Sequence, residues 1–443
     1  MEQESLAILA RVQFGATASF HIIFPTLLIG ISCFLSWNYF RWINTREKIY
    51  LDIYSIWLKI IFIIYIVGAI SGVALSSQLD NIFGDLYQRT QEALIPIRKI
   101  ELILAILLEG GCIGIMLLLK NPKFYRARFI ATLTFNIGIF LTAFLVISRN
   151  SWMNTPTGVE WVNGQAIVVS YWDVLFNPSF PLRYLHMIVA GLLASSFFIM
   201  GLSAYQLIAS NLTSKTNRKT FEFTLISALI LSIIQIVIGD LHGHDTLNHQ
   251  PMKIAAMEGQ WETEQGASFK VFALPDMENE TNHYSIEIPR ALSLILTLDP
   301  QGEVTGLKEI SPEDRPNVTI VFFAFRIMLL ASALMLCIAL LGIWLKRRGR
   351  VLQTWFLRLC IFASPSGLIA VIAGWIVAEV GRQPWCIYGV IKTADVITAT
   401  SVEQVTNSLK IFSILYLILG ILTVYLIFTT YKKNPEKQTQ SIS

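Results

Sequence analysis

The chain has 443 residues, of which 54% are apolar and 14% are charged, and its formal net charge is +4. Because soluble globular domains carry about 25% charged residues, a chain this apolar could not cover the surface of a soluble protein of its length. The composition also excludes disordered, collagen-like and disulfide-stapled proteins, and the small net charge gives no indication of nucleic-acid binding. We therefore predict an all-α polytopic membrane protein.

A membrane-spanning helix needs about 20 mostly apolar residues. Nine segments meet this requirement, and they are residues 13–37, 55–78, 97–119, 128–150, 184–207, 221–240, 319–345, 359–381 and 408–431. Lys and Arg concentrate after the odd-numbered spans, whereas residues 151–182 contain neither. Since basic loops remain in the cytoplasm, we expect a periplasmic N-terminus and a cytoplasmic C-terminus. The first residues lack the features of a signal peptide, so we expect them to be retained.

A long polar segment, residues 241–318, separates the sixth span from the seventh on the predicted outer side. Loops this long are uncommon unless they carry function. Part of the segment, residues 267–276, has the composition of a β-strand. We therefore divide the chain into helices 1–6 in residues 1–240, this outer segment, and helices 7–9 in residues 319–443.

Ionisable residues inside a membrane cost roughly 2.5–3.5 kcal/mol each on insertion scales, so each needs a structural or functional reason. Those in or beside the predicted spans are His21, Lys59, Glu101, Glu109, Arg149, Arg183, His186, Asp240, Arg326, Glu379 and Arg382. Arg149, Arg183 and Asp240 lie near span ends, where extension of the side chain to the membrane surface explains them as well as a function does.

His21 and His186 are the two histidines inside the predicted spans. Such a histidine is a hydrogen-bonded core residue, a member of a proton relay, or a ligand of a metal or haem. Neither has a partner histidine at the spacing of a bis-histidine haem b bundle, so haem binding would require a ligand of another type. Methionine is one such ligand. Met328 is a candidate, although a methionine in a span is also an ordinary core residue.

Two carboxylates, Glu101 and Glu109, lie eight residues apart on one predicted helix, which corresponds to a rise of about 12 Å. Three interpretations are open. Both residues could carry protons along one path, or one could contact a haem iron while the other supplies protons to it. Alternatively, both carboxylates could simply be hydrogen-bonded to neighbouring helices. Farther along the chain, Trp375, Glu379 and Arg382 share one helix face by their spacing. Arg382 could there pair with a haem propionate or with Glu379.

With these residues in place, the chain resembles subunit I of the cytochrome bd family of quinol oxidases. The resemblance rests on the motifs ARVQFGATASFHIIFP, IELILAILLEG, NSWMNTP, KIAAMEGQWET, FRIM and GWIVAEVGRQPW. The outer segment is similar to the short form of the family's quinol-binding loop, and HQPMKIAAMEGQWE resembles the cyanide-insensitive branch.

The resemblance implies a terminal oxidase of the bacterial inner membrane that oxidises quinol at its outer face and reduces dioxygen to water. Protons taken from the cytoplasm would generate a proton motive force without pumping. The implied cofactors are a low-spin haem b, a high-spin haem b, and haem d or a third haem b. The implied partners are a haem-free subunit II and ubiquinol or another membrane quinol, and small single-helix subunits are left open.

The same resemblance assigns the haem ligands. His186 and Met328 would be the axial ligands of the low-spin haem b, with Arg326 beside that haem. His21 and Glu379 would bind the iron atoms of the two high-spin haems. Which of the two haems each residue binds stays open.

The resemblance also assigns residues around the haems. Glu101 would lie on the distal side of the dioxygen-reducing haem, with Glu109 behind it as proton donor, and Trp375 between haems. Arg382 would pair with a propionate. Lys253 and Glu258 would bind quinol.

One segment departs from the family. Residues 75–83, LSSQLDNIF, stand where the family has a Glu-Phe-Gln-Phe-Gly-Thr-Asn-Trp-like sequence, so haem type, subunit packing or dioxygen access would differ. Two further functions therefore stay open. A proton-coupled transporter would use Glu101, Glu109 and His21 as a relay without a chromophore, and a haem-bearing sensor or inactive paralogue would explain the altered segment.

The run HGHD, with His242, His244 and Asp245, and the following His249 suggest either a metal site or a wetted helix end that passes protons away from quinol.

Overall fold

The computed structural model describes residues 2–398 and 401–432 of the chain, and most of them are helical. In chain order the helices are α1 (Glu2–Thr45), α2 (Lys48–Ile82), α3 (Gly84–Arg89), α4 (Gln91–Leu104), α5 (Gly111–Leu118), α6 (Tyr125–Asn154), α7 (Tyr171–Leu175), α8 (Phe180–Ala209), α9 (Lys215–His249), α10 (Pro251–Glu258), α11 (Ala291–Thr297), α12 (Val318–Arg347), α13 (Thr354–Ala363), α14 (Ser366–Val380) and α15 (Val402–Lys432). A π-helical segment, Ala105–Gly110, joins α4 to α5.

Within the described residues, nine stretches are long and apolar enough to cross a membrane. They are Leu6–Thr45, Lys48–Ile82, Gln91–Leu118, Tyr125–Asn154, Tyr171–Ala209, Lys215–His249, Pro312–Arg347, Thr354–Val380 and Val402–Lys432. Each contains one predicted span apart from a terminal residue at the ends of two, so the prediction of nine spanning helices is confirmed. Residues 433–443, the end of the predicted third region, lie outside the described residues.

The strands form four two-stranded antiparallel sheets, all in the connections between the long helices. The pairs are β1 (Val159–Val162) with β2 (Gln165–Val168), β3 (Glu264–Gln265) with β6 (Glu303–Val304), β4 (Phe269–Asp276) with β5 (Thr281–Ile288), and β7 (Trp385–Ile387) with β8 (Ile391–Lys392). Strand β4 coincides with the β-like stretch predicted at residues 267–276.

Helix α8 lies at the centre of the bundle, since it contacts α1, α6, α9, α13 and α14. Small residues allow these close approaches: a Cβ on Gly30 would overlap Ser195 of α8, and a Cβ on Gly367 would overlap the backbone of Ala194. Such small-residue contacts are typical of helix packing in membranes, where dispersion replaces the hydrophobic effect as the driving force. Helix α15 and the α4–α5 stretch are the least buried spans.

Ion pairs at or near the ends of the long helices define two ends of the bundle. At one end, Lys219 pairs with Glu47 across 3.1 Å and Lys346 pairs with Glu222 across 2.6 Å, and we call this the basic end. At the other end, which we call the loop end, Lys392 pairs with Asp314 across 2.7 Å. The long segment between α9 and α12 folds at the loop end.

Helix α9 continues nine residues beyond the predicted end of the sixth span at residue 240, so the outer segment begins later than predicted. Polar side chains one turn apart accompany this extension: His244 lies 3.9 Å from Asp240, and His249 lies 3.3 Å from Asp245. The helix ends at His249. The next residue, Gln250, precedes a proline, and a residue in that position disfavours helical backbone. The HGHD run is therefore helical.

Candidate functional site

His21 lies in the first half of α1 and faces α2. Its Nδ1 atom lies 2.9 Å from the hydroxyl oxygen of Ser71. A Cβ on Gly72 would lie 3.1 Å from Cε1 of the same ring, so the glycine lets α2 pack closely against the imidazole. Ser71 and Gly72 of α2 thus both contact the His21 ring.

His186 lies near the start of α8 and faces α9. The amide nitrogen of Gln235 lies 3.3 Å from Nδ1 and 3.2 Å from Nε2 of the ring. The ring of His242 lies 5.2 Å from that of His186, centroid to centroid, and Gly239 presents no side chain to it. Three residues of one α9 face therefore surround His186.

Met328 lies on α12, which packs against α14. A Cβ on Gly374 of α14 would lie 3.2 Å from the Met328 sulfur. Glycines thus stand opposite the candidate ligands on α1, α8 and α12. The lack of a side chain at these three positions lets the neighbouring helices pack closely against the candidate ligands.

The two carboxylates of the third span each have a partner on α6. Glu101 accepts a hydrogen bond from Nη2 of Arg149 across 2.6 Å, and Glu109 accepts one from the hydroxyl of Thr142 across 2.6 Å. Arg149 and Thr142 are seven residues apart, so they lie on one face of α6. The surface interpretation of Arg149 is wrong, because its guanidinium is paired with Glu101 inside the bundle.

Glu379 lies at the end of α14, where two donors hold its carboxylate. Asn150 donates from Nδ2 to Oε1 and Arg382 donates from Nη2 to Oε2, each across 2.6 Å. Trp375, one turn earlier, packs against an apolar cluster that includes Phe180 and Val371. Of the three residues predicted to share a helix face, Glu379 and Arg382 contact each other, whereas Trp375 packs in the apolar cluster.

Lys253 and Glu258 are both buried, at opposite ends of the short helix α10. Lys253 donates to Oδ1 of Asn154 across 2.9 Å and to the carbonyl of Ala378 across 3.1 Å. Burial, with the positive charges of Arg183 and Arg382 nearby, holds the pKa of Lys253 well below its usual value.

Glu258 contacts a different helix. It accepts a hydrogen bond from Arg326 of α12 across 2.7 Å, and burial nevertheless raises the pKa of its carboxyl group. Arg326 also donates to the carbonyl of Lys270, from Nη2 across 2.6 Å, and its guanidinium lies 4.4 Å from the ring centroid of Phe322. Lys253 and Glu258 thus share a helix but contact separate groups of side chains.

Buried donors without partners test whether these residues fit haem. Nε of Arg183, and Nε and Nη1 of Arg382, find no hydrogen-bond partner among the described residues. Nε of Arg11 is buried without a partner in the same way. Because such orphaned donors are costly, they indicate an acceptor group, and the propionates of a haem have the required charge. The residues present fit a haem whose iron ligands lie among these arginines.

The HGHD run forms no metal cluster in the described part of the chain, where no group of three or more His, Cys, Asp or Glu side chains is arranged to hold an ion. The structure also brings in residues that the sequence reasoning missed, namely Ser71, Asn150, Asn154 and Gln235. Asn150 and Asn154 belong to the motif NSWMNTP, and their spacing of four could have indicated a common helix face.

Known proteins are similar to this chain over almost its whole length. The model of the family described as cytochrome bd terminal oxidase subunit I matches residues 9–435. The chain is 29% identical to the cytochrome bd ubiquinol oxidase subunit 1 of Bacillus subtilis (strain 168), over 97% of this chain and 94% of that protein. It is 26% identical to the cytochrome bd-II ubiquinol oxidase subunit 1 of Escherichia coli (strain K12), over 96% of this chain and 94% of that protein.

The fold is also similar to a solved structure. A chain of the bd oxidase from Geobacillus thermodenitrificans superposes with a TM-score of 0.90 and 27% sequence identity, over 98% of this chain and 100% of that chain. The similarity therefore extends over the helical bundle and its connections together.

Proposed function

The chain belongs to the cytochrome bd terminal oxidase subunit I family, and from that premise we propose that it oxidises a membrane quinol at the loop end and reduces dioxygen to water. Family membership makes it an oxidoreductase of the respiratory chain and a multi-pass protein of the bacterial inner membrane. The family binds haems and implies quinol, dioxygen and a partner subunit. Because the chain belongs to this family, the oxidase interpretation replaces that of a proton-coupled transporter.

The four proposed ligands of the three haems are those that the resemblance to the family implies. His186 and Met328 would hold a low-spin haem b, which would supply electron transfer without binding dioxygen. His21 and Glu379 would each hold a high-spin haem, one a haem b and the other a haem d or a third haem b. When bound, these groups would carry electrons from quinol to dioxygen.

The observation that supports the proposal most directly is the hydrogen bonding of the Arg382 guanidinium. Its Nη2 atom binds Glu379, whereas Nε and Nη1 are buried without a partner among the described residues. A guanidinium hydrogen-bonded in this way can hold the Glu379 carboxylate in position and pair with a second anion, which a haem propionate would supply.

Quinol oxidation would use Lys253 and Glu258. Lys253 donates to a quinone oxygen, and Glu258, whose pKa is raised by burial, accepts a proton from the hydroxyl group. Arg326 holds that carboxylate in position through the 2.7 Å contact. The proton would leave at the loop end, which we assign to the periplasmic side from the distribution of Lys and Arg.

Dioxygen reduction needs protons, and Glu101 and Glu109 would supply them. We propose that these protons enter from the cytoplasm, so that charge is separated without a pump. The α6 side chains Arg149 and Thr142 each hydrogen-bond one of the two carboxylates.

A haem-free subunit II would bind the apolar outer faces of the bundle. Helix α15 and the α4–α5 stretch are the least buried spans and expose many large apolar side chains. Small single-helix subunits could bind there as well.

A reduced-minus-oxidised optical spectrum of the purified complex, with analysis of the extracted haems, tests the proposal. A b-type band together with a chlorin band would support two haems b and one haem d, and three haems b would keep the oxidase in a variant form. Quinol-dependent oxygen uptake should accompany either spectrum. Intact protein without haem would overturn the ligand assignments, and haem without oxygen uptake would favour the sensor interpretation that the altered segment 75–83 left open.

A further inference from the structure

The contact between His21 and Ser71 joins a candidate iron ligand to a side chain that the proposed function does not yet use. The hydroxyl oxygen of Ser71 lies 2.9 Å from Nδ1 of His21, and Ser71 is fully buried. No other side chain among the described residues hydrogen-bonds the ring of His21. The backbone of Gly68 also hydrogen-bonds the ring, so Ser71 is the side chain, and Gly68 the backbone group, that orient this imidazole.

The hydroxyl proton of Ser71 already has an acceptor. Its oxygen donates to the carbonyl of Gly68, one turn earlier in α2, across 3.0 Å. With its proton directed there, the oxygen presents lone pairs to His21 and can accept a hydrogen bond from the ring. This arrangement favours the tautomer of His21 that carries its proton on Nδ1.

That tautomer is the one an iron ligand needs, because it leaves the lone pair of Nε2 free. Metal-bound histidines commonly donate their second ring N–H to such an acceptor, which fixes the ring and raises its basicity. Gly72, the next residue of α2, lets the backbone pack closely against Cε1, so the same turn supplies both the acceptor and a close contact with the ring.

We propose that Ser71 is a positioning residue that accepts the Nδ1 proton of His21, and so fixes the ring and strengthens its bond to a high-spin haem iron. This inference rests on the proposed role of His21 as a haem ligand. Loss of the hydroxyl would weaken electron donation from the imidazole, which lowers the iron–histidine stretching frequency and raises the midpoint potential of that haem.

The test uses the purified holoenzyme complex and three variants. Ser71→Ala removes the acceptor, and Ser71→Thr keeps a hydroxyl. Ser366→Ala is the matched control, because Ser366 is also buried and bonds the carbonyl three residues earlier, at 2.7 Å. The readouts are the iron–histidine band in the resonance Raman spectrum of the reduced protein and the potentiometric titration of the high-spin haems.

We expect Ser71→Ala to shift the iron–histidine band to lower frequency and the midpoint potential upward, while Ser71→Thr and Ser366→Ala match the wild type. An unshifted band in Ser71→Ala with a full haem content would overturn the proposal. If Ser71→Ala loses the haem, Ser71→Thr decides: retention of haem and band supports the hydroxyl role, and loss in both overturns it. A wild-type complex without an iron–histidine band would instead refute the role of His21 itself.

Discussion

Arg149 and Glu101 form an ion pair between α6 and α4, with Nη2 of the arginine 2.6 Å from Oε2 of the carboxylate. Their side chains are 17% and 22% exposed, so the pair lies largely inside the protein. The carboxylate that we place beside the dioxygen site is thus held by a cation on a neighbouring helix.

We expect Arg149→Gln to destabilise the complex by about 2 kcal/mol, since it leaves Glu101 without its cation; the loss stays below the ~3–5 kcal/mol of a fully buried pair. The double variant Arg149→Gln with Glu101→Gln should recover most of this loss. Thermal unfolding in detergent measures both effects. Equal unfolding temperatures for the single and double variants would contradict the proposed pairing.

Thr142 holds Glu109, so the hydroxyl group rather than the size of the side chain should matter. We expect Thr142→Val to lower quinol-dependent oxygen uptake roughly tenfold, and Thr142→Ser to stay near the wild-type rate. Replacing the carboxylate itself, by Glu109→Gln, should cost about 100-fold or more, the usual scale for loss of a general acid. An oxygen electrode measures the rates, and equal rates in the Val and Ser variants would rule out the hydrogen bond as the cause.

Gln235 is the side chain that hydrogen-bonds the ring of His186, and its Oε1 atom is buried without a partner among the described residues. A rotation of this amide by 180° would direct Oε1 to the ring, where it could accept a hydrogen bond from Nδ1 of His186. We expect Gln235→Leu to weaken retention of the low-spin haem about 10–100-fold, and Gln235→Glu to preserve it. Haem content after dilution in detergent provides the measurement. Ser232→Ala, on the same face of α9, is the control.

Lys253 should make stability depend on pH. Its pKa is well below the usual value in the folded protein, so the unfolded chain binds more protons and stability rises with pH, up to about pH 10.4 where the unfolded lysine titrates. We therefore expect Lys253→Met to be more stable than the wild type at pH 7, by a margin that shrinks towards pH 10.

The same substitution should raise the KM for quinol about tenfold, since it removes a hydrogen-bond donor from the site. Unfolding temperatures at the two pH values, with quinol kinetics at pH 7, test both parts. A stability difference that is the same at pH 7 and pH 10 would refute the linkage.

The nine spans could be predicted because the requirement for about 20 apolar residues per span is strict. The end of α9 could not be predicted from the same rule, since polar residues such as His242 and Asp245 indicate a loop unless their helical spacing is considered. The candidate ligands were predicted from the cost of ionisable groups in a membrane and from the resemblance. Their partners on other helices, Ser71 and Gln235 among them, were missed because no local pattern reports which helix lies opposite.

The π-helical segment Ala105–Gly110 sets the register between Glu101 and Glu109. A π turn contains one residue more than an α turn, because its hydrogen bonds join residues five apart instead of four. Glu101 and Glu109 are eight residues apart, whereas their α6 partners Arg149 and Thr142 are seven apart, and the extra residue of the π turn matches this difference. Loss of a single codon within the turn would restore an α-helix and leave α5 facing almost the same way, so this segment could lose one residue and still keep Glu109 beside Thr142.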